Sequence, residues 1–212
     1  MRRPRERTTA SVRRLDLDRS LVEAARRDPR EFDALYRKYV AQVFAFALYE
    51  LRDHHAAEDA TEATFLRALV ALPRFEERAR DGRDGPDAST FRVWLFRIAR
   101  NVVANERRRR RRHPALSLDG RTGSASSELA DGAAVDDDAA RREDANAAWA
   151  AVARLPDDRR RAVTLRFLHE MTTPEIAAVL GKTDGAVRVL IHRALRSVAR
   201  DLTGDRGGDR IP

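Results

Sequence analysis

Basic side chains recur at helical spacing near the C-terminus, in a segment that predicts two helices joined by a tight turn. Thr172 and Glu175 have the three-residue spacing of a capping box, and Gly181 can take the left-handed conformation that ends a helix. Thr183 or Asp184 can then cap the second helix. One face of that helix carries Arg188, His192, Arg193, Arg196 and Arg200. The pattern predicts a helix-turn-helix that binds DNA phosphates and base edges, with a solvated basic helix as the alternative.

A second basic segment ends a longer predicted helix. Residues 107–112 are six consecutive arginines, which place arginine on every side of the helix, so none of the run is expected to pack into a hydrophobic core. The preceding turns carry Arg92, Arg97, Arg100, Asn101 and Asn105 beside Trp94. Basic groups interleaved with amides and an aromatic ring favour nucleic acid, including unstacked single strands. A solvated helix end, and a core position for Trp94, are the alternatives.

An acidic strip lies on one face of another predicted helix, at Glu58, Asp59 and Glu62. Carboxylates repel the phosphate backbone, so this face is expected to meet protein or solvent. Composition alone favours solvent.

Enzymatic chemistry has little support in the sequence. His54 and His55 are adjacent, so their side chains point about 100° apart on a helix and are not expected to share a metal ion. The acidic run 136–138 falls in a segment with no structured surroundings. No glycine-rich phosphate loop is present. The sequence therefore predicts no catalytic residue, no metal site and no cofactor.

The composition narrows the class of protein. The chain has 212 residues and a formal charge of +8, and all of its 42 basic residues except Lys38 and Lys182 are arginine. Arginine binds phosphate through a planar fork of donors, although GC-rich coding also raises the arginine count. Cysteine is absent, which excludes disulfides and cysteine-ligated metals. No apolar run approaches the roughly 20 residues of a membrane span, and no secretory signal is expected. These features predict a cytoplasmic protein.

The elements that must position these residues are predicted to be helices throughout. Apolar spacing predicts helices over 28–51, 56–72, 89–112, 139–155 and 157–169, followed by the helix-turn-helix, with a loop over 74–88. The predicted fold is all-α, with two small helical domains. Its parts are a disordered basic arm (1–19), an N-terminal domain (20–112), a flexible acidic linker (113–138), a C-terminal helix-turn-helix domain (139–203) and a tail (204–212).

Together these segments resemble the extracytoplasmic-function (ECF) sigma factors of bacterial RNA polymerase. Residues 57–68 are similar to the family's polymerase-binding helix, residues 91–101 to its −10-reading helix, and residues 155–196 to its −35-reading domain. The likeness spans residues 28–112 and 140–202. Val189 and Leu190 stand where many members have Ser and Arg, and the loop 74–88 is longer than usual.

The resemblance implies an alternative sigma factor that binds RNA polymerase core and directs promoter-specific initiation. The core-binding residues would be Glu58, Asp59, Glu62, Phe65 and Leu66, which would dock on the clamp helices of the largest subunit. The flap of the polymerase would be a further contact. The −10 element would be read by Trp94, Arg97, Asn101, Asn105 and Arg108. The −35 element would be read by Lys182, Thr183, Arg188, Val189, His192, Arg193 and Arg196. The linker would thread toward the active-site and RNA-exit channels.

The resemblance also implies partners beyond the polymerase. They are promoter DNA and an anti-sigma factor, which can hold such a protein at the membrane. Two other functions stay open on the residues alone. One is a helix-turn-helix repressor or activator that acts without binding core polymerase. The other is a metal-dependent nuclease, which needs clustered acids on structured elements.

Overall fold

The computed structural model describes residues 9–76, 90–112 and 138–204, which form helices and short connections with no strand among them. The N-terminal unit contains α1 (Thr9–Arg27), α2 (Phe32–Leu51), α3 (His54–Ala71) and α4 (Thr90–Arg112). The C-terminal unit contains α5 (Asp138–Arg154), α6 (Asp157–Val163) with its π-helical continuation (Thr164–Leu168), α7 (Thr173–Leu180) and α8 (Asp184–Leu202). The predicted all-α fold with two helical domains is confirmed. Four parts of these predictions lie outside the described residues: 1–8 of the predicted arm, 77–88 of the predicted loop, 113–137 of the predicted linker and 205–212 of the predicted tail.

Helix α1 differs from the predicted disordered arm. It begins at Thr9, so it covers residues that were assigned to the arm. Asp18 is buried, and its carboxylate accepts a hydrogen bond of 2.7 Å from the Tyr39 hydroxyl and pairs with Lys38. The prediction was wrong here because polar contacts anchor this part of the helix, and such contacts leave no apolar period in the sequence.

The N-terminal helices are held in register by caps at their junctions. Asp28 accepts a hydrogen bond from the Arg30 amide ahead of α2. Arg52 takes the left-handed conformation that ends α2, with φ 55°. The Asp53 carboxylate then accepts a hydrogen bond of 2.9 Å from the Ala56 amide and caps the start of α3. This two-residue connection makes α2 and α3 antiparallel neighbours, so that a groove runs between them.

The two units share one hydrophobic core, which the sequence patterns did not predict. The rings of Phe46 in α2 and Phe96 in α4 meet edge to face with centroids 5.7 Å apart. The same buried cluster includes Leu165, Met171 and Ile176 of the C-terminal unit. A second cluster joins Tyr49 of α2 to residues of α5, α6 and α8. The helix-turn-helix is therefore packed directly against α4.

Candidate nucleic-acid and partner interfaces

The turn of the helix-turn-helix has the predicted caps. Thr172 and Glu175 form a capping box, in which the Glu175 carboxylate accepts a hydrogen bond of 2.8 Å from the Thr172 amide. Gly181 has φ +68°, the left-handed conformation in which a side chain is strained. Thr183 accepts a hydrogen bond of 3.3 Å from the Ala186 amide and begins α8. These confirmed features fix the angle at which α8 leaves the turn.

The face of α8 that points away from the hydrophobic core is basic. Val187, Ala194 and Val198 are buried on the inner face. The outer face exposes Arg188, Val189, His192, Arg193 and Arg196. Two of the predicted −35 residues have structural roles as well. The Thr183 hydroxyl caps α8, and the half-buried Lys182 forms an ion pair of 2.9 Å with Asp158.

Helix α4 exposes a stripe of polar and basic residues, which we call the α4 stripe. It consists of Arg97, Asn101, Asn105 and Arg108, spaced three or four residues apart and all exposed. Trp94 lies one turn before the stripe and is only half-buried. Its ring packs against Phe75 and Phe91, with centroid distances of 5.0 and 5.6 Å. The indole of Trp94 is thus anchored at the edge of the core, while the side-chain amides of Asn101 and Asn105 are exposed and can contact a ligand.

The sequence predicted that no member of the arginine run of α4 packs into a hydrophobic core. Two of the six are nevertheless partly buried, by ion pairs. Arg107 keeps 21% of its side-chain surface exposed and pairs with Asp157 at 2.7 Å. Arg110 pairs with Asp53 at 3.1 Å and with Glu106 at 3.0 Å. Carboxylates far apart in the sequence converge on these two guanidinium groups and make their partial burial possible. Arg108, Arg109, Arg111 and Arg112 are exposed, as expected.

A buried carboxylate at the end of α2 joins the two units. The Glu50 side chain is only 2% exposed. Its Oε2 accepts a hydrogen bond of 3.0 Å from Arg161 and one of 3.2 Å from Arg107. Arg160 lies 3.7 Å from the other carboxylate oxygen. Asp157 completes the group, and its hydrogen bond from Arg107 helps to lower its pKa to about 2. We call these five residues the Glu50 cluster. Because α2 and α4 supply two members and α6 supplies three, the cluster holds the units together.

Basic residues of α4 also donate directly to the C-terminal backbone. Arg100 donates a hydrogen bond of 2.6 Å to the Val179 carbonyl, near the end of α7. Arg92 donates to the His169 carbonyl. Together with Arg107, these residues occupy one side of α4 in contacts with the C-terminal unit. The α4 stripe and the outer face of α8 remain exposed in this closed arrangement.

His169 is buried at the junction of the two units. Its side chain packs edge to face against Phe46 and Phe96, with ring centroids 6.2 and 5.1 Å apart. Neither ring nitrogen has a hydrogen-bond partner among the described residues. Burial, and then the nearby charge of Arg92, lower the pKa of His169 to about 3. The imidazole is therefore neutral in the closed structure.

This burial predicts a loss of stability at mildly acidic pH. Below the ordinary histidine pKa of about 6.5, the unfolded chain binds a proton that the native chain does not. The free energy of unfolding should fall by about 1.4 kcal/mol per pH unit, or about 2 kcal/mol from pH 6.5 to pH 5. Urea unfolding across this range measures the effect. His169→Leu should flatten this part of the profile, whereas His192→Ala should not. An unchanged slope in His169→Leu contradicts the prediction.

A groove between α2 and α3 collects most of the predicted core-binding residues. From α3 it is lined by His54, Glu58, Thr61, Glu62, Phe65, Leu66 and Leu69, and from α2 by Phe32, Tyr36, Val40 and Phe44. Leu66 is 56% exposed and Tyr36 is 42% exposed, whereas Phe65 is buried against the rings of Phe32 and Tyr36. Asp59 is not among the lining residues and lies near Arg109 of α4. The groove therefore combines an apolar floor with an acidic rim.

Sequence reasoning missed the α2 side of this groove and the Glu50 cluster. Tyr36 falls on the apolar spacing that predicts the helix over 28–51, and nothing in that spacing indicates that Tyr36 is 42% exposed. Glu50 is followed by a capped junction, and its position in the sequence is that of an ordinary charged residue at a helix end.

None of the described helices is long and apolar enough to cross a membrane.

Comparison with known proteins places this architecture in a family. Residues 35–113 match Sigma-70 region 2, and residues 145–198 match Sigma-70 region 4. The chain is 36% identical to the ECF RNA polymerase sigma factor BldN of Streptomyces coelicolor, covering 87% of this chain and 66% of BldN. It is 33% identical to the ECF RNA polymerase sigma factor SigC of Mycobacterium tuberculosis, covering 87% of this chain and 90% of SigC.

Solved structures agree with this relationship. CnrH, solved in complex with the cytosolic domain of CnrY, superposes with a TM-score of 0.59 at 27% identity, covering 89% of this chain and 98% of CnrH. The sigma factor RpoE of Bartonella quintana shares the fold, with a TM-score of 0.58 at 21% identity, covering 84% of this chain and 99% of RpoE. The chain belongs to the ECF sigma factor family of RNA polymerase. It is an alternative sigma factor that directs transcription initiation.

Proposed function

We propose that the chain contributes promoter recognition and strand opening, while core polymerase performs all the chemistry. The observation that carries this proposal is the presence of three separate exposed surfaces on one chain. They are the acid-rimmed α2–α3 groove, the α4 stripe and the outer face of α8. A repressor that used only its helix-turn-helix would not need the first two. The chain itself catalyses no reaction in this proposal.

Each surface has a proposed partner. The groove binds the clamp helices of the polymerase's largest subunit through Glu58, Glu62, Phe65 and Leu66, with Asp59 flanking it. The α4 stripe and Trp94 open and read the −10 element. The outer face of α8 reads the −35 element, and the C-terminal unit also contacts the flap. The protein acts in the cytoplasm, where the polymerase is.

An anti-sigma factor is a further proposed partner, able to hold the protein at the membrane. The structural relative CnrH was solved in complex with the cytosolic domain of another protein, CnrY. That precedent supports a protein ligand for this fold, separate from the polymerase. Binding of such a partner and binding of promoter DNA would then be alternative states of the chain.

Promoter binding requires the two units to separate. The centres of the −10 and −35 elements are about 25 base pairs apart, which is about 85 Å of B-DNA at roughly 3.4 Å per base pair. A compact chain of 212 residues is only about 45 Å across, from the usual scaling of the radius of gyration. In the closed structure α4 contacts α7 directly. The contacts of Glu50, Arg92 and Arg100 between the units must therefore break before both elements are occupied.

The experiment that tests the function is transcription by purified polymerase core with and without this protein. We expect promoter-specific RNAs only in its presence, and sequencing them identifies the −10 and −35 elements. Tight, salt-insensitive binding of the free protein to duplex DNA, with no effect on core transcription, would instead support the repressor alternative.

Arg188→Ala tests the role of α8 within the holoenzyme. Arg188 is exposed one turn into the helix, and a bidentate contact from arginine to a base edge contributes about 1–3 kcal/mol. Promoter affinity should fall by that amount, as measured by titration of the holoenzyme at fixed salt. The loss should disappear on a promoter with a scrambled −35 element. An equal loss on both promoters would mean that Arg188 contacts only the phosphate backbone.

A further inference from the structure

Three metal-ligating side chains meet at the start of α3, beside the α2–α3 groove. His54 and His55 are the first two residues of the helix, and Glu58 lies one turn further along. One ligand atom from each side chain lies within 4.8 Å of the other two. Nothing in the sequence indicated this approach, which arises because Glu58 is four residues from one histidine and three from the other. Both spacings place side chains next to each other on a helix surface.

The distances within this trio suit a metal ion. The Glu58 Oε2 atom lies 3.4 Å from His54 Nδ1 and 3.3 Å from His55 Nδ1. Ligands bound to zinc at about 2.0–2.1 Å in tetrahedral geometry are about 3.3 Å apart. Both carboxylate–imidazole separations therefore match the spacing of ligands around one ion. The contact between His55 and Glu58 is a hydrogen bond in this structure, which a bound ion would replace. Two imidazoles and a carboxylate are a ligand set that zinc proteins use, and imidazole also suits Ni²⁺ and Cu²⁺.

The surroundings orient one of the ligands, His54, and leave all three accessible. The His54 ring packs edge to face against Phe44 of α2, with centroids 5.2 Å apart. Asp53 does not compete for the ion, because its oxygens accept from the Ala56 amide and from Arg110. Its negative charge offsets the positive end of the helix, which by itself disfavours a cation. All three ligands are exposed, so an ion can enter from solvent.

We propose that His54, His55 and Glu58 bind one divalent transition-metal ion of the zinc type, and that the bound ion weakens docking in the groove. His54 and Glu58 both line the groove, so the ion would occupy its acidic rim. It would also engage the Glu58 carboxylate and replace net negative charge with positive charge. The second half of the proposal rests on the proposed role of the groove as the core polymerase site.

The metal site is tested on the full chain without polymerase. Isothermal titration with Zn²⁺ in a non-coordinating buffer should show one ion per chain. His54→Ala/His55→Ala should weaken binding by about 10-fold or more, and Glu58→Gln should also weaken it. The double variant His113→Ala/His192→Ala removes the same number of imidazoles elsewhere and should bind like wild type. Equal Zn²⁺ affinity in wild type and His54→Ala/His55→Ala overturns the site.

The effect on docking is tested separately with purified polymerase core. Zn²⁺ should reduce core binding by the wild-type chain and leave binding by His54→Ala/His55→Ala unchanged. If Zn²⁺ binds the trio but wild-type core binding is unaffected, the competition is overturned and the metal site stands. If neither protein binds core with or without Zn²⁺, the proposed function of the groove fails and the competition fails with it. The titration result is independent of that failure.

Discussion

Glu50→Gln should separate the two units of the chain. The side chain of Glu50 is almost fully buried among Arg107, Arg160 and Arg161, and glutamine removes the negative charge that offsets theirs. Breaking a buried ion pair by removing one partner costs about 3–5 kcal/mol, because the remaining charges stay desolvated. We expect the closed arrangement to lose that stabilisation. Small-angle scattering should show a larger radius of gyration, and thermal unfolding should begin at a lower temperature.

Asp18→Asn is the matched control for this change. Asp18 is also a buried carboxylate, but its partners Lys38 and Tyr39 belong to the N-terminal unit. Its replacement should lower thermal stability without changing the radius of gyration. Glu50→Gln should in addition strengthen binding of the free protein to duplex DNA, because Arg107 and Arg161 are released. An unchanged radius of gyration together with wild-type stability would show that the Glu50 cluster does not hold the units together.

Leu66→Asp should abolish most of the affinity for core polymerase. Leu66 is 56% exposed in the free chain, so the change leaves the fold intact. In a docked complex the new carboxylate would be buried among Phe65, Tyr36 and Leu69 without a partner. Central apolar contacts of this kind contribute about 2 kcal/mol or more, which corresponds to an affinity loss of about 30-fold. Co-purification and fluorescence titration with core measure this loss.

Val70→Asp provides the comparison on the same helix. Val70 is 80% exposed and lies one turn beyond Leu66, but it is not among the residues that line the groove. The substitution introduces the same charge one turn nearer the C-terminal end of α3 and outside the groove lining, so core binding should remain near the wild-type value. Equal losses in both variants would point to general repulsion, and no loss in either would place the core-binding surface elsewhere.

The local structure of the helix-turn-helix could be predicted because its determinants are adjacent in the sequence. Thr172, Glu175, Gly181 and Thr183 act on residues within four positions of themselves. The same is true of the spacing that exposes one face of α8. Short-range rules therefore predicted the caps, the turn and the basic face correctly.

The features that could not be predicted depend on residues far apart in the chain. Glu50 and Arg161 are separated by 111 positions, and no local pattern indicates that they meet. The same limitation applies to Arg100, whose carbonyl acceptor at Val179 is 79 residues away. Helix α1 was missed because Asp18 anchors it by polar contacts. The approach of Glu58 to both His54 and His55 was not predicted either, because the angle between neighbouring helix positions takes no account of side-chain rotation toward a third residue.

Tyr49 and Trp149 give the junction between the units an optical signal of its own. Their rings meet edge to face with centroids 5.1 Å apart, and the Tyr49 hydroxyl donates to the Trp149 carbonyl. The only other tryptophan of the chain, Trp94, is packed against Phe75 and Phe91 within the N-terminal unit. Separation of the units would expose one indole and leave the other in place. The intrinsic fluorescence of the unlabelled chain therefore follows its opening in real time.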